Sequence, residues 1–272
     1  MGCLMHSTGK IFYSEEGNSS NSLICLHGIG GDDKSFEPQL KNLSSKYRVV
    51  SWNMPGYKGS KTLENYSFEN LCYSLNEFLS DLRIDNTTLI GQSIGGMLAQ
   101  EFFFRYPNKV NSLILIATTS AFGGKDQSFK KEFLEKRLKP LSLGKTMKDL
   151  AKSFVPSILA HPASQNVINS AIQSMENIPA ETYKKVISCL VTFDRYHDFS
   201  KINIPCCLIS GSEDNNSPSK TMKKMSDKLS DCKYYNINNA GHLVNLESPK
   251  ETNEIIVEFL ENLTLKSLNQ EN

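Results

Sequence analysis

The chain lacks an excess of either charge. Its 30 Lys and Arg face 29 Asp and Glu across 272 residues, for a formal net charge of +1. No electrostatic field therefore points to nucleic acid or an anionic membrane as a partner. It also lacks any apolar run approaching the roughly 18 residues of a membrane span, so no transmembrane helix is expected. The seven cysteines (Cys3, Cys25, Cys72, Cys189, Cys206, Cys207 and Cys232) form no C-x-x-C pair and follow no secretory leader pattern. They read as reduced thiols of a cytoplasmic protein. Cys25, Cys206 and Cys207 stand inside apolar runs, where cysteine serves as a small hydrophobe. His and Cys at metal-ligand spacing are missing as well, so neither a metal nor a cofactor is expected. The opening Met1-Gly2-Cys3-Leu4-Met5-His6-Ser7 approaches a myristoylation signal beside a palmitoylatable Cys3. His6 occupies the slot where the signal needs a hydroxyl, which makes lipidation the minor alternative.

What is present is an alternation of strand and helix signals. Ser22 to Leu26 is a short apolar run entering His27-Gly28-Ile29-Gly30-Gly31, and Tyr47 to Trp52 is another entering Asn53-Met54-Pro55-Gly56-Tyr57. Ser67 to Leu82 carries Phe68, Leu71, Cys72, Leu75, Phe78, Leu79 and Leu82 at helical spacing, with Ser67 as N-cap. A strand over Asn86 to Ile90 leads into Gly91-Gln92-Ser93-Ile94-Gly95-Gly96 and a helical run from Met97 to Tyr106 that Pro107 stops. Ser112 to Ala117 is the next strand. From about Ser120 to Ser200 the pattern turns to helical segments separated by Pro140, Pro156, Pro162 and Pro179. Strands resume at Pro205 to Ser210 and Lys233 to Ile237. Ser248-Pro249 opens a last helix to about Leu263, followed by a frayed end over Ser267 to Asn272. This order implies an α/β fold with a mostly parallel central sheet, helices on both faces and an inserted helical cap. The expected division is residues 1–119 and 201–272 for the core and 120–200 for the cap.

Acyl transfer needs an exposed nucleophile, a base within reach and donors for the developing oxyanion. Gly91-Gln92-Ser93-Ile94-Gly95 is G-x-S-x-G at a strand-to-helix junction, where flanking glycines permit a sharp turn that projects Ser93. The pattern is short enough to recur by chance; the strand before it and helix after it carry the assignment. Of the five histidines, His242 in Asn239-Ala240-Gly241-His242-Leu243 lies past the last strand, at the edge where Ser93 also emerges. His27 suits a structural role, and His161 and His197 belong to the helical insertion. The acid is expected between the last two strands, in Gly211-Ser212-Glu213-Asp214. Asp214 is preferred and Glu213 is its neighbouring alternative. The backbone N–H groups of Ile29 and Ile94 would form the oxyanion hole. The His27 to Gly31 loop lacks the Lys-Ser/Thr ending of a phosphate-binding loop.

These motifs in order, together with Met54-Pro55-Gly56-Tyr57-Lys58-Gly59-Ser60, resemble the α/β-hydrolase superfamily over nearly the whole chain. The short cap and Pro-Gly-Tyr loop look most like the branch holding 3-oxoadipate enol-lactonases, small carboxylesterases and carbon–carbon bond hydrolases. Serine at position 93 departs from the aspartate of haloalkane dehalogenases and epoxide hydrolases, and Gln92 departs from the asparagine usual in carbon–carbon hydrolases. Lys58 replaces a glycine common in that loop. The resemblance implies a serine hydrolase that cleaves a small ester or lactone through an acyl-enzyme intermediate. A carbon–carbon bond hydrolase or a non-catalytic small-ligand receptor is the alternative. The partner is a small-molecule substrate; oligomeric state is left open. Phe122, Phe129, Phe133, Phe154, Ile158, Leu159 and Met175 are available to line an apolar pocket. Arg137 and Arg195, the two arginines of the insertion, are candidates to clamp a substrate carboxylate, as enol-lactonase similarity suggests.

Overall fold

The computed structural model describes residues 5–123 and 127–270. Gly2 and Cys3, the residues of the minor lipidation alternative, lie outside them. Eight strands form one sheet: β1 (Met5–Ser7), β2 (Phe12–Glu16), β3 (Ser22–Leu26), β4 (Arg48–Trp52), β5 (Thr87–Gln92), β6 (Val110–Ile116), β7 (Cys206–Gly211) and β8 (Cys232–Ile237). Their spatial order is β1-β2-β4-β3-β5-β6-β7-β8. From β4 to β8 every pairing is parallel, whereas β1 and β2 run antiparallel at one edge. Those two edge strands escape the sequence reading, because β1 is exposed at all three residues and β2 is mostly half-buried, so neither prints an apolar run.

Helices cover both faces because the inner strands are buried on both. In β3, Ile24 and Leu26 pack into one apolar cluster, while Leu23 and Cys25 pack into the other. The first cluster takes in α2 (Phe68–Asp81), α3 (Ile94–Arg105) and α8 (Ser219–Ser226); the second takes in α1 (Glu37–Leu43), α9 (Val244–Glu247) and α10 (Pro249–Gln270). Ser67 caps α2 as its sequence suggests, its Oγ accepting the Asn70 amide at 3.1 Å. The last helix runs on to Gln270, beyond the Leu263 end expected from periodicity.

Between β6 and β7 the described residues form α4 (Gln127–Ser142), α5 (Met147–Phe154), a 3-10 turn over Val155–Ile158, α6 (Gln165–Glu176) and α7 (Ala180–Leu190). The two ends of this helical block meet where Ala121 bridges Asp194, with the Phe122 amide on the Phe193 carbonyl at 2.9 Å. Pro140 does not separate helices as expected. It stands in the last turn of α4, where one bond to the carbonyl four residues back is lost in a helix that is already ending.

The junction of β5 and α3 constrains this frame most tightly. Gly95, in the first turn of α3, lies directly against β3, and a Cβ there would run into the Leu26 carbonyl. Gly95→Ala must therefore force α3 away from the sheet. We expect it to destabilise the fold by about 3 kcal/mol or more, read as a shift in the urea unfolding midpoint.

Candidate active site

Ser93 sits between β5 and α3 with φ of 54° and ψ of −120°, a left-handed conformation that a non-glycine residue adopts only under restraint. The restraint is visible in its bonds. Its amide donates to the Ile116 carbonyl at 3.0 Å, and its carbonyl accepts from the Gly96 and Met97 amides and, at 2.7 Å, from Thr118 Oγ1. The Ser93 hydroxyl has no hydrogen-bond partner among the described residues and lines the cavities described below.

Asp214 and His242 arrive from the loops after β7 and β8, which the parallel sheet brings to the same edge as Ser93. His242 Nδ1 lies 2.8 Å from Asp214 Oδ2, the geometry of an Nδ1–H donating to the carboxylate, and in the neutral ring that tautomer makes Nε2 the acceptor. Asp214 Oδ1 accepts the amides of Asn216 at 2.7 Å and Ser217 at 3.0 Å. Burial alone would raise this carboxyl. His242 and the two amides outweigh it and hold the pKa below the ordinary aspartate value. Glu213, the neighbouring alternative, is exposed and instead accepts the His161 amide at 3.1 Å. His6, His161 and His197 are exposed as well.

His27 is fully buried, and burial lowers its pKa. Its Nδ1–H donates to the Gly28 carbonyl at 2.7 Å, and Nε2 accepts the Met54 amide at 3.0 Å, so this neutral ring ties the loop after β3 to the loop after β4. Lys58, at φ of 44°, reinforces the same junction through Asp33 at 2.6 Å and Asp32 at 3.5 Å. The loop so braced carries Ile29. The amides of Ile29 and of Ile94, the first residue of α3, have no acceptor among the described residues and are free to donate.

Two cavities share Ile29, Ser93, Phe154 and His242 in their walls. One, of about 50 Å³, runs under Val155, Ile158, Ala171 and Met175. The other, of about 380 Å³, is walled by Phe122, Phe129, Phe133 and Tyr183, with Arg137 and Asn215 to Ser217. Leu159, expected in a pocket wall, packs into the core instead. Arg137 is half-buried, its guanidinium 3.7 Å from the Phe154 ring centre, and has no carboxylate partner among the described residues. Burial lowers its pKa. Arg195, by contrast, is not brought to the site. It grips both oxygens of the buried Glu101 at 2.7 Å and reaches Asp198 at 3.4 Å, which ties the end of the helical block to α3.

Sequence reasoning passed over Tyr183, whose helix-spaced neighbours make it look like ordinary core. Its hydroxyl is buried without a hydrogen-bond partner among the described residues, and burial pushes its pKa up to about 12. Gln92, noted only as a departure from a pattern, donates from Nε2 to the His242 carbonyl at 2.9 Å. A strained serine, an imidazole oriented by a buried carboxylate and two unpaired amides are the parts that acyl transfer requires.

Because the Asp214 pKa is depressed on folding, its contribution to stability is fully present above the unfolded value of about 4 and is lost as pH falls through the lower folded value. Urea unfolding from pH 7 to pH 2 should show Asp214→Asn losing less stability than wild type on the acid side. Parallel acid limbs would contradict the assignment.

Comparisons with known proteins bear on the fold and the family. A family model described as the alpha/beta hydrolase fold matches residues 21–249. Monoacylglycerol lipase ABHD6 of Homo sapiens is 22% identical over 271 residues, covering 94% of this chain and 80% of that protein. The 3-oxoadipate enol-lactonase 1 of Acinetobacter baylyi (strain ATCC 33305 / BD413 / ADP1) is 24% identical over 251 residues, 89% of each. Among solved structures, the enol-lactonase from Burkholderia xenovorans LB400 matches with a TM-score of 0.84 at 19% identity, covering 92% of this chain and 96% of that one, a likeness of fold. With the family model matched over most of its length and the sheet in that architecture, the chain belongs to the alpha/beta hydrolase fold family.

Proposed function

We propose that this protein is a serine hydrolase cleaving a small ester or lactone through an acyl-enzyme intermediate, with Ser93 as nucleophile, His242 as base and Asp214 as its orienting acid. The observation that carries this reading is the 2.8 Å bond from His242 to Asp214, in a site whose cavities also hold the strained Ser93. His242 Nε2 takes the hydroxyl proton as Ser93 Oγ attacks the carbonyl carbon. The Ile29 and Ile94 amides receive the oxyanion, and the imidazolium returns its proton to the leaving oxygen. Water then repeats the cycle on the acyl-Ser93 ester. Asp214 stays ionised throughout, fixing the tautomer and stabilising the imidazolium. Similarity to an enol-lactonase and a lipase supports carbonyl–oxygen cleavage as the reaction class.

In this reading residues 120–200 are a cap that closes apolar walls over Ser93 and excludes bulk water. An ester carbonyl at Ser93 has space on two sides, one narrow and apolar, the other wide and carrying Arg137. That division favours compact monomeric substrates over long triglycerides. The guanidinium of Arg137 lines the wider cavity with no carboxylate partner among the described residues, so an anionic group on the substrate has a donor to meet there.

Ser93→Ala, His242→Ala and Asp214→Asn should each cut turnover by about 10⁴ or more, non-additively, with the fold retained. A serine-reactive fluorophosphonate should label wild type and spare Ser93→Ala. Folded wild type that resists labelling would overturn the hydrolase reading and leave a ligand receptor on the same fold.

Arg137→Ala should raise KM for carboxylated esters by about 10-fold or more, in line with roughly 1.5 to 3 kcal/mol for a charged hydrogen bond, while sparing neutral esters. Arg195→Ala should lower stability without discriminating between the two substrate classes. Equal effects of Arg137→Ala on both classes would rule out the clamp.

A further inference from the structure

Glu247, the last residue of α9, takes no part in the chemistry above, yet its carboxylate is the hub of the turn that carries His242. Oε2 accepts the Gly241 amide at 3.1 Å and the Ala160 amide at 2.7 Å, while Oε1 accepts the Leu243 amide at 3.0 Å. Gly241 and Leu243 flank His242; Ala160 lies just past the Val155–Ile158 turn of the helical block. The same stretch of the block holds His242 itself, whose amide donates to the Ile158 carbonyl at 2.7 Å. On the other side, Gln92 Nε2 grips the His242 carbonyl at 2.9 Å. Both ends of the His242 backbone and both of its neighbours are therefore tied down, in part by a segment inserted some 80 residues earlier in the chain.

The contact leaves no slack. A Cβ on Gly241 would lie 2.5 Å from the Ala160 nitrogen and 2.6 Å from the Leu159 carbonyl carbon, so only glycine lets the two backbones meet. No Lys or Arg among the described residues pairs with Glu247; three backbone amides hold its half-buried carboxylate. Burial raises the pKa of this carboxyl against those bonds. An amide cannot replace it. Gln has one acceptor oxygen, so whichever way it turns, an NH₂ faces at least one of the N–H donors. Asp is shorter by one carbon–carbon bond, about 1.5 Å, and cannot reach both strands of the contact at once.

We propose that Glu247 is a positioning residue that locks the His242 turn to the helical block, so that the imidazole meets Ser93 only while the block is seated. This makes the block part of the mounting of the histidine as well as a wall of the pocket. The inference rests on Ser93, His242 and Asp214 acting as proposed above. A displacement of about 1 Å in such a site can lower turnover about 10²-fold with little effect on binding, and that split is the expected signature.

The test uses the full-length chain with a short-chain 4-nitrophenyl ester, measured well below the thermal midpoint of each variant. Glu247→Gln should lower kcat by 10- to 100-fold, leave KM within about threefold, and slow fluorophosphonate labelling of Ser93 by the same factor as kcat. A lower thermal midpoint with unchanged kcat and labelling rate would show a structural role only and overturn the proposal. If Glu247→Gln does not fold, Glu247→Asp carries the test with the same expected split. Ser93→Ala separates the two readings. If it is still labelled, the nucleophile assignment fails; if it is inert while Glu247→Gln matches wild type, only the Glu247 proposal fails.

Discussion

The backbone reversal at Ser93 is the constraint around which this protein is built. A residue with a side chain is held at φ of 54°, a conformation that costs of order 1–3 kcal/mol and persists only when its surroundings over-determine it. Here the surroundings are β3 and β6 on either side of β5, the Ile116 carbonyl under the Ser93 amide, Thr118 on its carbonyl, and Gly95 and Gly96 in the first turn of α3. The parallel order of the sheet follows through to function. Because β3, β5, β7 and β8 all run the same way, their following loops gather at one edge, and Ile29, Ser93, Asp214 and His242 are delivered there by four different strands.

Two buried carboxylates show how similar chemistry is put to different ends. Glu101 is matched by two guanidiniums, Arg105 and Arg195, and its pKa falls despite burial because those cations outweigh desolvation. It joins α3 to the end of the helical block, and nothing in that pairing is left over for a ligand. Among the described residues Asp214 has no Lys or Arg paired with it. Its charge is met by two amides of its own turn and by His242, so the ring is the partner whose charge can change during a reaction. The same comparison separates the two arginines of the helical block. Arg195 is spent on Glu101, while Arg137 lies over Phe154 in a cavity wall with its donors unclaimed by carboxylates of the described residues.

Local pattern was sufficient for the six inner strands, α2 with its Ser67 cap, the G-x-S-x-G turn and the helical character of the described residues between β6 and β7, because each depends on near neighbours in the chain. Apolar periodicity reports burial, and glycine beside serine reports a tight turn, without reference to anything distant. The edge strands β1 and β2 were illegible for the converse reason: a strand that borrows its order from a neighbour need not be apolar itself. The turning of Glu213 away to the His161 amide, the diversion of Arg195 to Glu101 and the unpartnered Tyr183 hydroxyl buried beside a cavity belong to the tertiary structure. So does the reach of Glu247 to Ala160 across the helical block. Each turns on how side chains far apart in sequence are packed against one another. Periodicity and motif spacing carry no information about that, whereas packing the block onto the sheet decides it.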